Sequence, residues 1–405
     1  MSRPAALHII KTLRQAGHVA LLAGGCVRDR LLGQEPQDHD VATDAPPEQV
    51  RALFKRTRAV GEAFGVVLVD LQRDGQRSTT EVATFRTEGV YSDGRRPDAV
   101  EYSDAKHDAQ RRDFTVNGLF EDPDCEHPDA DADGIIDYVG GRADLEAKML
   151  RAVGDPAKRF SEDYLRMLRA PRFASRLGFT LDPQTFKAIQ ENAAQITRIA
   201  RERIGDEIRR ALCGPDAHAA AMWLELGELA AAVLDTRWAQ TKGRLSALRG
   251  CDPEADYPTR LWLWMHARGT PLAPTHLRKA LALSNEETEA LKQLRRFHDL
   301  PDLWAGLSVA GRKRRLAEPG REQAFLAWNA GTLDKDTAYA IQQAADALAA
   351  DGIGLAPDPL VTGGDLIAQG LEPGPEFRRR LDAAYDAQLE GAAMNKDQAL
   401  AIALQ

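Results

Sequence analysis

The chain has 405 residues, 43% hydrophobic and 28% charged, with 53 Lys+Arg against 61 Asp+Glu for a formal net charge of −8. This ordinary globular balance excludes wholesale disorder and collagen-like repeats, and the length suggests two to four domains. A net-acidic chain is not coated in basic residues that grip nucleic acid indiscriminately, although it leaves room for a local basic groove.

In chain order, the runs 18–23 (HVALLA), 40–43, 64–70 (FGVVLVD), 78–85 (STTEVATF) and 100–102 predict strands by their β-branched content and boundaries. Between them, 27–32 and 47–55 predict short helices. Strands interleaved with helices imply a small α/β sheet up to about residue 120. From about residue 145 helical periodicity takes over, alanine and leucine abound, and no strand is expected. Gly/Pro breaks near 178–180, 214–215, 250–253, 269–274, 318–320 and 351–359 separate the helices. All six tryptophans (Trp223, Trp238, Trp262, Trp264, Trp304, Trp328) fall in this helical half and read as core packing. His218, His266, His276 and His298 are isolated and predict no metal set. No run approaches the roughly 18–20 apolar residues of a membrane span. The start lacks a secretory apolar core, and Cys26, Cys125, Cys213 and Cys251 show no paired spacing. A cytoplasmic protein with reduced thiols is expected.

The densest chemical signal is LLAGGCVRDRLLG over 21–33, followed by Asp38-His-Asp40. A strand running into Gly24-Gly25 and then a helix offers backbone N–H groups to a phosphate, with no Cβ in the way. Arg28 in the first turn adds a guanidinium. Alternate residues of a strand share a face, so Asp38 and Asp40 project side by side. Two such carboxylates are costly unless a cation holds them, and hard oxygen ligands suit Mg²⁺. A bare Gly-Gly turn is usually only structural, and an isolated acidic pair is usually a solvated turn. Their succession at short range carries the reading of a phosphate and metal site. Glu81 is a charge inside an otherwise apolar and Thr-rich strand. Two readings stay open for it: a third carboxylate of the metal site, or the partner of an arginine such as Arg86.

These residues resemble the first signature of the nucleotidyltransferase superfamily, in the branch of tRNA CCA-adding enzymes and bacterial poly(A) polymerases. RRDFTVNG over 111–118 is similar to the second signature, and DYVGGRADL over 137–145 leading to LRAVG over 150–154 to the third. EDYLRMLR over 162–169 resembles the nucleotide-selecting helix, and Glu202-Arg-Ile with Glu207 the last neck signature. A weaker likeness, TGGDLI with GLEPGP over 362–375, resembles the carboxyl-terminal segment of the same enzymes. The match is ordered from about residue 18 to 210.

The resemblance implies a polymerase-β-like head of small mixed sheet and helices over 1–145. A helical neck over 146–215, a helical body over 216–350 and a tail over 351–405 follow. It implies CCA addition to the 3′ end of tRNA from CTP and ATP. Asp38 and Asp40 then hold two Mg²⁺ ions, Gly24, Gly25 and Arg28 cradle the triphosphate, and Arg112 with Asp113 contacts the ribose. Asp163 and Arg166, three apart on one helical face, select the base. The carboxylate accepts from the exocyclic amine of C or A and the guanidinium donates to the ring nitrogen, a pattern that G and U reverse. Arg169 adds a base or phosphate contact. The loop over 91–98 resembles one present in CCA- and A-adding enzymes and missing from CC-only ones. Pro171 is expected to interrupt the neck helix, and Gly118 stands where the family commonly has alanine. Arg295-Arg296, Arg312–Arg315 (RKRR) and Arg378–Arg380 are open between phosphate contacts and solvated faces. An A-adding enzyme, a poly(A) polymerase and a non-catalytic RNA-binding relative are the alternatives. The acidic balance favours a compact tRNA acceptor end over a long messenger.

Overall fold

The computed structural model describes residues 2–59, 65–73, 76–88, 100–236, 245–269 and 273–405. Trp238 and the loop over 91–98 lie outside the described residues. The chain divides into two compact units, Met1–Arg237 and Trp238–Gln405.

The first unit opens with α1 (Arg3–Gln15), whose Ala6, Ile9, Ile10 and Leu13 recur at helical spacing and are buried. The sequence reading had no element here, although the 3.6-residue period is present. There follow β1 (Ala20–Ala23), α2 (Gly25–Leu31), β2 (Asp40–Thr43), α3 (Pro47–Leu53), β3 (Thr57–Ala59), β4 (Val66–Arg73) and β5 (Gln76–Thr84). Next come β6 (Arg86–Glu88), β7 (Val100–Tyr102), α4 (Ala105–Gln110), β8 (Leu119–Glu121), β9 (Ile135–Asp137) and α5 (Gly141–Glu146). Seven strands form one sheet in the order β3-β4-β5-β2-β1-β8-β9, with β2 and β5 parallel and the other pairs antiparallel. Leu21, Ala23, Ala42, Phe85, Phe120 and Ile136 pack on one face, with Phe85 and Phe120 edge-on at 5.8 Å. The unpredicted strands β3, β6, β8 and β9 are each three residues long, too short to show a period of two.

The helical part begins after β10 (Met149–Leu150), with α6 (Pro156–Glu162) and α7 (Arg166–Leu177). It continues through β11 (Thr180–Leu181), α8 (Pro183–Asn192), α9 (Arg201–Leu212), α10 (Ala217–Leu226) and α11 (Leu229–Leu234). The expectation of no strand after residue 145 is corrected: β10 and β11 pair in parallel. Two-residue strands leave no sequence pattern, and α7 is what brings them together.

Two further corrections concern the neck. The segment over 162–169 is not one helix: α6 ends at Glu162, Asp163 is extended (φ −149°, ψ 104°), and α7 starts at Arg166. The Asp163 Oδ1 accepts from the Leu165 backbone N–H at 3.0 Å, a local turn that competes with helix. Pro171 lies inside α7 without ending it, and the helix stops instead at Gly178 in left-handed conformation (φ 67°).

The second unit is helical: α12 (Ser246–Arg249), α13 (Tyr257–Arg268), α14 (Pro274–Leu281), α15 (Asn285–His298), α16 (Leu300–Trp304), α17 (Val309–Ala317), α18 (Arg321–Ala327) and α19 (Lys335–Ala349). It closes with α20 (Gly363–Ala368), α21 (Pro375–Leu389) and α22 (Lys396–Ala403), which pack around Leu366, Ala384, Ala399 and Ala403. Trp264 and Trp328 are buried as core residues. His266 and His298 are not isolated in space: their rings meet at 5.4 Å, with Trp262 on His298 at 5.5 Å. Among the described residues no helix is long and apolar enough to cross a membrane.

Candidate active site

β1 delivers the chain into Gly24, which has φ +72°. That backbone angle favours glycine, and a Cβ there would also lie 2.7 Å from Arg112 Nη1, which would have to shift. Helix α2 then carries Arg28 into the interior, 2% exposed. Its guanidinium pairs with Asp29 at 2.6 Å and donates to Asn117 Oδ1 at 2.5 Å. Burial lowers its pKa, and Asp29 opposes the shift.

Sheet register puts the acidic residues beside this turn. Ala23 of β1 lies opposite Asp40 of β2, one residue before Gly24. In the parallel pair, Val41 lies opposite Val82, which brings Glu81 alongside Asp40. Asp38 precedes β2 rather than lying within the strand, yet it lines the same cavity. The Asp40 carboxyl is pushed up to about 6 by burial, then by the charges of Glu81 and Asp38, against the pull of Arg112. Crowded carboxylates of this kind fit a hard divalent cation, because a cation relieves both the repulsion and the desolvation. No three His, Cys, Asp or Glu side chains among the described residues form a closed metal set. Asp38 and Asp40 are the side chains here that could hold such an ion.

Across the cavity, Arg111 and Arg112 directly follow α4, and both grip its buried Asp108, at 2.7 and 3.0 Å. Arg112 also donates to the Asn117 carbonyl at 2.9 Å and lies over Phe120 at 5.0 Å. Asp113 accepts from Asn117 Nδ2 at 3.0 Å, from the Phe114 N–H at 2.8 Å and from Arg169 Nε at 2.7 Å. Burial alone would raise its carboxyl, but Arg169 and Asn117, with Arg166 behind them, outweigh it and hold it down at about 2. Asp163 pairs with Arg203 at 2.8 Å. Arg166 pairs with Glu162 at 2.6 Å and donates to the carbonyls of Arg159 and Arg111, so each member of the expected base-reading pair is steered by a different neighbour.

Gly24, Gly25, Arg28, Asp38, Asp40, Glu81, Arg112, Asp113, Asp163, Arg166 and Arg169 all line one cavity of about 730 Å³. The sequence reading did not single out Asn117, Arg111, Arg172, Phe173, Arg176, Arg203 and Arg210, which line it too. Phe173 collects three cations: Arg28, Arg169 and Arg172 stand 5.4, 5.2 and 4.5 Å from its ring centre. Burial lowers Arg172 to about 10, and Glu207 at 3.1 Å opposes that shift. The signal available in the sequence was periodicity: Arg166, Arg169, Phe173 and Arg176 recur every three or four residues along α7. Nine arginines against five carboxylates make this a basic cavity in an acidic chain, suited to a polyanion. At Gly118 a Cβ would meet Val139 Cγ2 at 2.7 Å, so alanine does not fit here unless Val139 moves.

Comparison with known proteins gives a consistent result. The Poly A polymerase head domain family matches residues 20–151, and the family described as a probable RNA and SrmB-binding site of polymerase A matches 178–233. The CCA-adding enzyme of Lactiplantibacillus plantarum is 46% identical over 211 residues, 52% of this chain but only about half (49%) of that enzyme's length. The CCA-adding enzyme of Lacticaseibacillus paracasei is 34% identical over 410 residues, covering 97% of this chain and 93% of the relative. The crystal structure of the Bacillus stearothermophilus CCA-adding enzyme in complex with CTP superposes with a TM-score of 0.74 at 30% identity, over 99% of this chain and 97% of that one.

Proposed function

This chain belongs to the CCA-adding enzyme family, and from that membership we propose that it is a template-independent RNA nucleotidyltransferase that builds CCA on the 3′ end of tRNA from CTP and ATP. The observation that carries the reading is convergence: the Gly24-Gly25 turn, the crowded Asp38 and Asp40, the buried Asp113 and the Asp163/Arg166 pair share one basic cavity.

In this reading the RNA 3′-hydroxyl attacks the α-phosphate and pyrophosphate leaves. Gly24 and Gly25 admit the triphosphate against the backbone, while Arg28 opposes its charge from a fixed, buried position. Asp38 and Asp40 would hold Mg²⁺, which supplies charge neutralisation at the phosphates and acidifies the attacking hydroxyl. Glu81, beside Asp40 in the sheet, strengthens the negative field there. Asp113 accepts from the ribose 2′-hydroxyl, and its depressed pKa keeps it an acceptor at any physiological pH. Asp163 accepts from the exocyclic amine of cytosine or adenine, and Arg166 donates to the ring nitrogen. The break between α6 and α7 lets Arg203 and Glu162 set their directions separately. Arg169, tied to Asp113, couples the sugar side to the base side.

The division of labour we propose is catalysis by 1–145, nucleotide selection by 146–215, RNA binding by 216–350 and an accessory tail over 351–405. The small separate core of α20–α22 supports treating the last of these as its own piece. A cytoplasmic site of action agrees with four free cysteines.

The test uses tRNA transcripts ending before CCA, after C and after CC, with Mg²⁺ and single or paired nucleotides, resolved at single-nucleotide length. Extension of the first by three residues, requiring both CTP and ATP and then stopping, is expected. Growth only on the CC-ended transcript would make it an A-adding enzyme, and long ATP ladders would make it a poly(A) polymerase. No extension would leave a non-catalytic RNA-binding relative.

A further inference from the structure

Asn117 ends a 3₁₀ turn (Thr115–Asn117), lines the cavity and is 8% exposed. Its polar groups go to three different residues of the site. Oδ1 accepts from Arg28 Nη1 at 2.5 Å, Nδ2 donates to Asp113 Oδ1 at 3.0 Å, and the carbonyl accepts from Arg112 Nη1 at 2.9 Å. A guanidinium can only donate and an ionised carboxylate can only accept. Whatever bridges Arg28 and Asp113 must therefore present an acceptor to one and a donor to the other, which a short carboxamide does. The elements joined are distant in sequence: Arg28 rides on α2, Asp113 follows α4, and Arg169 ties Asp113 to α7.

We propose that Asn117 is a positioning residue that locks the phosphate-side Arg28 to the sugar-side Asp113, so that triphosphate and ribose are read as one object. The proposal rests on the assignment of Asp113 to the ribose 2′-hydroxyl. Were the link absent, Arg28 would lose an acceptor in a buried site and Asp113 would lose one of its three donors, freeing each to move without the other.

Asn117→Asp separates the two halves of the link. It keeps an acceptor for Arg28, removes the donor to Asp113 and sets a second carboxylate against it. Three quantities are measured on folded protein with matched melting curves: affinity for inorganic tripolyphosphate with Mg²⁺, and kcat and KM for CTP and for dCTP on the transcript ending before CCA. The expected result is tripolyphosphate binding within about twofold of the parent. KM for CTP should rise about tenfold, and the CTP-over-dCTP preference should fall by a similar factor. Asn117→Ala, which loses both halves, should weaken tripolyphosphate binding as well. Equal losses for tripolyphosphate and CTP in Asn117→Asp, or an unchanged CTP-over-dCTP preference, would overturn the linking role. Asp113→Asn serves as the control: if it keeps the full preference for CTP, the ribose assignment itself fails, which is a distinct outcome. Should Asn117→Asp not fold, a double-mutant cycle of Arg28→Lys with Asp113→Asn decides. Coupling of about fivefold or more in kcat/KM supports the link, and additivity within about twofold sinks it.

Discussion

The two units use arginine in opposite ways. In the first, nine arginines spread from residue 28 to residue 210 converge on one cavity, four of them lying over Phe173 or Phe120. In the second, the densest basic run of the chain turns inward or sideways. Lys313 is fully buried against Asp351, Arg314 pairs with Asp386 at 2.6 Å, and Arg315 pairs with Glu318 at 3.0 Å. Arg312 lies over Trp304 at 5.0 Å. In the other run, Arg379 and Arg380 are engaged by Glu376. The RKRR run thus makes structural contacts within its own unit, while the basic cavity of the first unit draws most of its arginines from separate parts of the chain. Linear charge density does not locate a binding site, because a helix sends neighbours to different faces.

The sharpest way to break this contrast is at its acidic centre. Asp40→Asn should cut nucleotide addition by on the order of 10²-fold or more, the scale of one lost transition-state stabiliser. The fold should hold. Because the folded pKa of Asp40 is raised to about 6, ionising it costs stability as pH climbs from about 4 through 6. The metal-free variant should therefore melt no lower than the parent at pH 8, and a large drop in melting temperature there would refute the crowded-carboxylate account.

The second unit should respond in stability instead. Asp351→Ala strands the buried Lys313 cation and should lower the melting temperature on the order of 10 °C, whereas Lys313→Met should cost clearly less. Both should leave KM for CTP unchanged at 25 °C. A rise in KM would show that the run serves the nucleotide after all.

A finer prediction concerns acid. Asp113 is held at about 2, so its ion pair contributes stability that is complete above about pH 4 and lost as pH falls from 4 toward 2. The shift corresponds to about 2 kcal/mol. Stability of Asp113→Asn, measured by urea melts from pH 5 to 2.5, should lack that part of the decline. Identical acid profiles would count against the buried pair.

The smallest effect belongs to the partly exposed Arg315, where Arg315→Ala should change stability by less than about 1 kcal/mol and CTP addition not at all. A larger loss in tRNA binding would reassign it to RNA contact.

Much of the cavity was legible because its pieces are local. The Gly24-Gly25 turn, the Asp38/Asp40 pair and the Arg112-Asp113 dipeptide each announce their chemistry within a few residues. The β-branched runs over 64–70 and 78–85 and the short run over 40–43 gave the central strands β4, β5 and β2 to within a few residues. Apart from α1, whose helical period is legible over 13 residues, the misses in the sheet and neck share one cause. Strands β8 and β9, the pair β10–β11 and the helix break at Asp163 involve two or three residues each, below the length at which periodicity has meaning.

The sequence by itself determined an α/β head followed by helices, and named a glycine turn as the candidate phosphate seat together with candidate residues for metal, sugar and base. Only the tertiary structure decided how they cooperate. The register of β2 against β1 and β5 crowds Asp40 with Glu81, a relation between residues 41 positions apart that no local pattern encodes. The turn ending at Asn117 joins Arg28 to Asp113, and the packing of α7 against α9 pairs Arg172 with Glu207. These are long-range contacts, fixed by burial and by the need of every buried donor and acceptor for a partner. A sequence shows the groups that must be satisfied, and the fold chooses which group satisfies which.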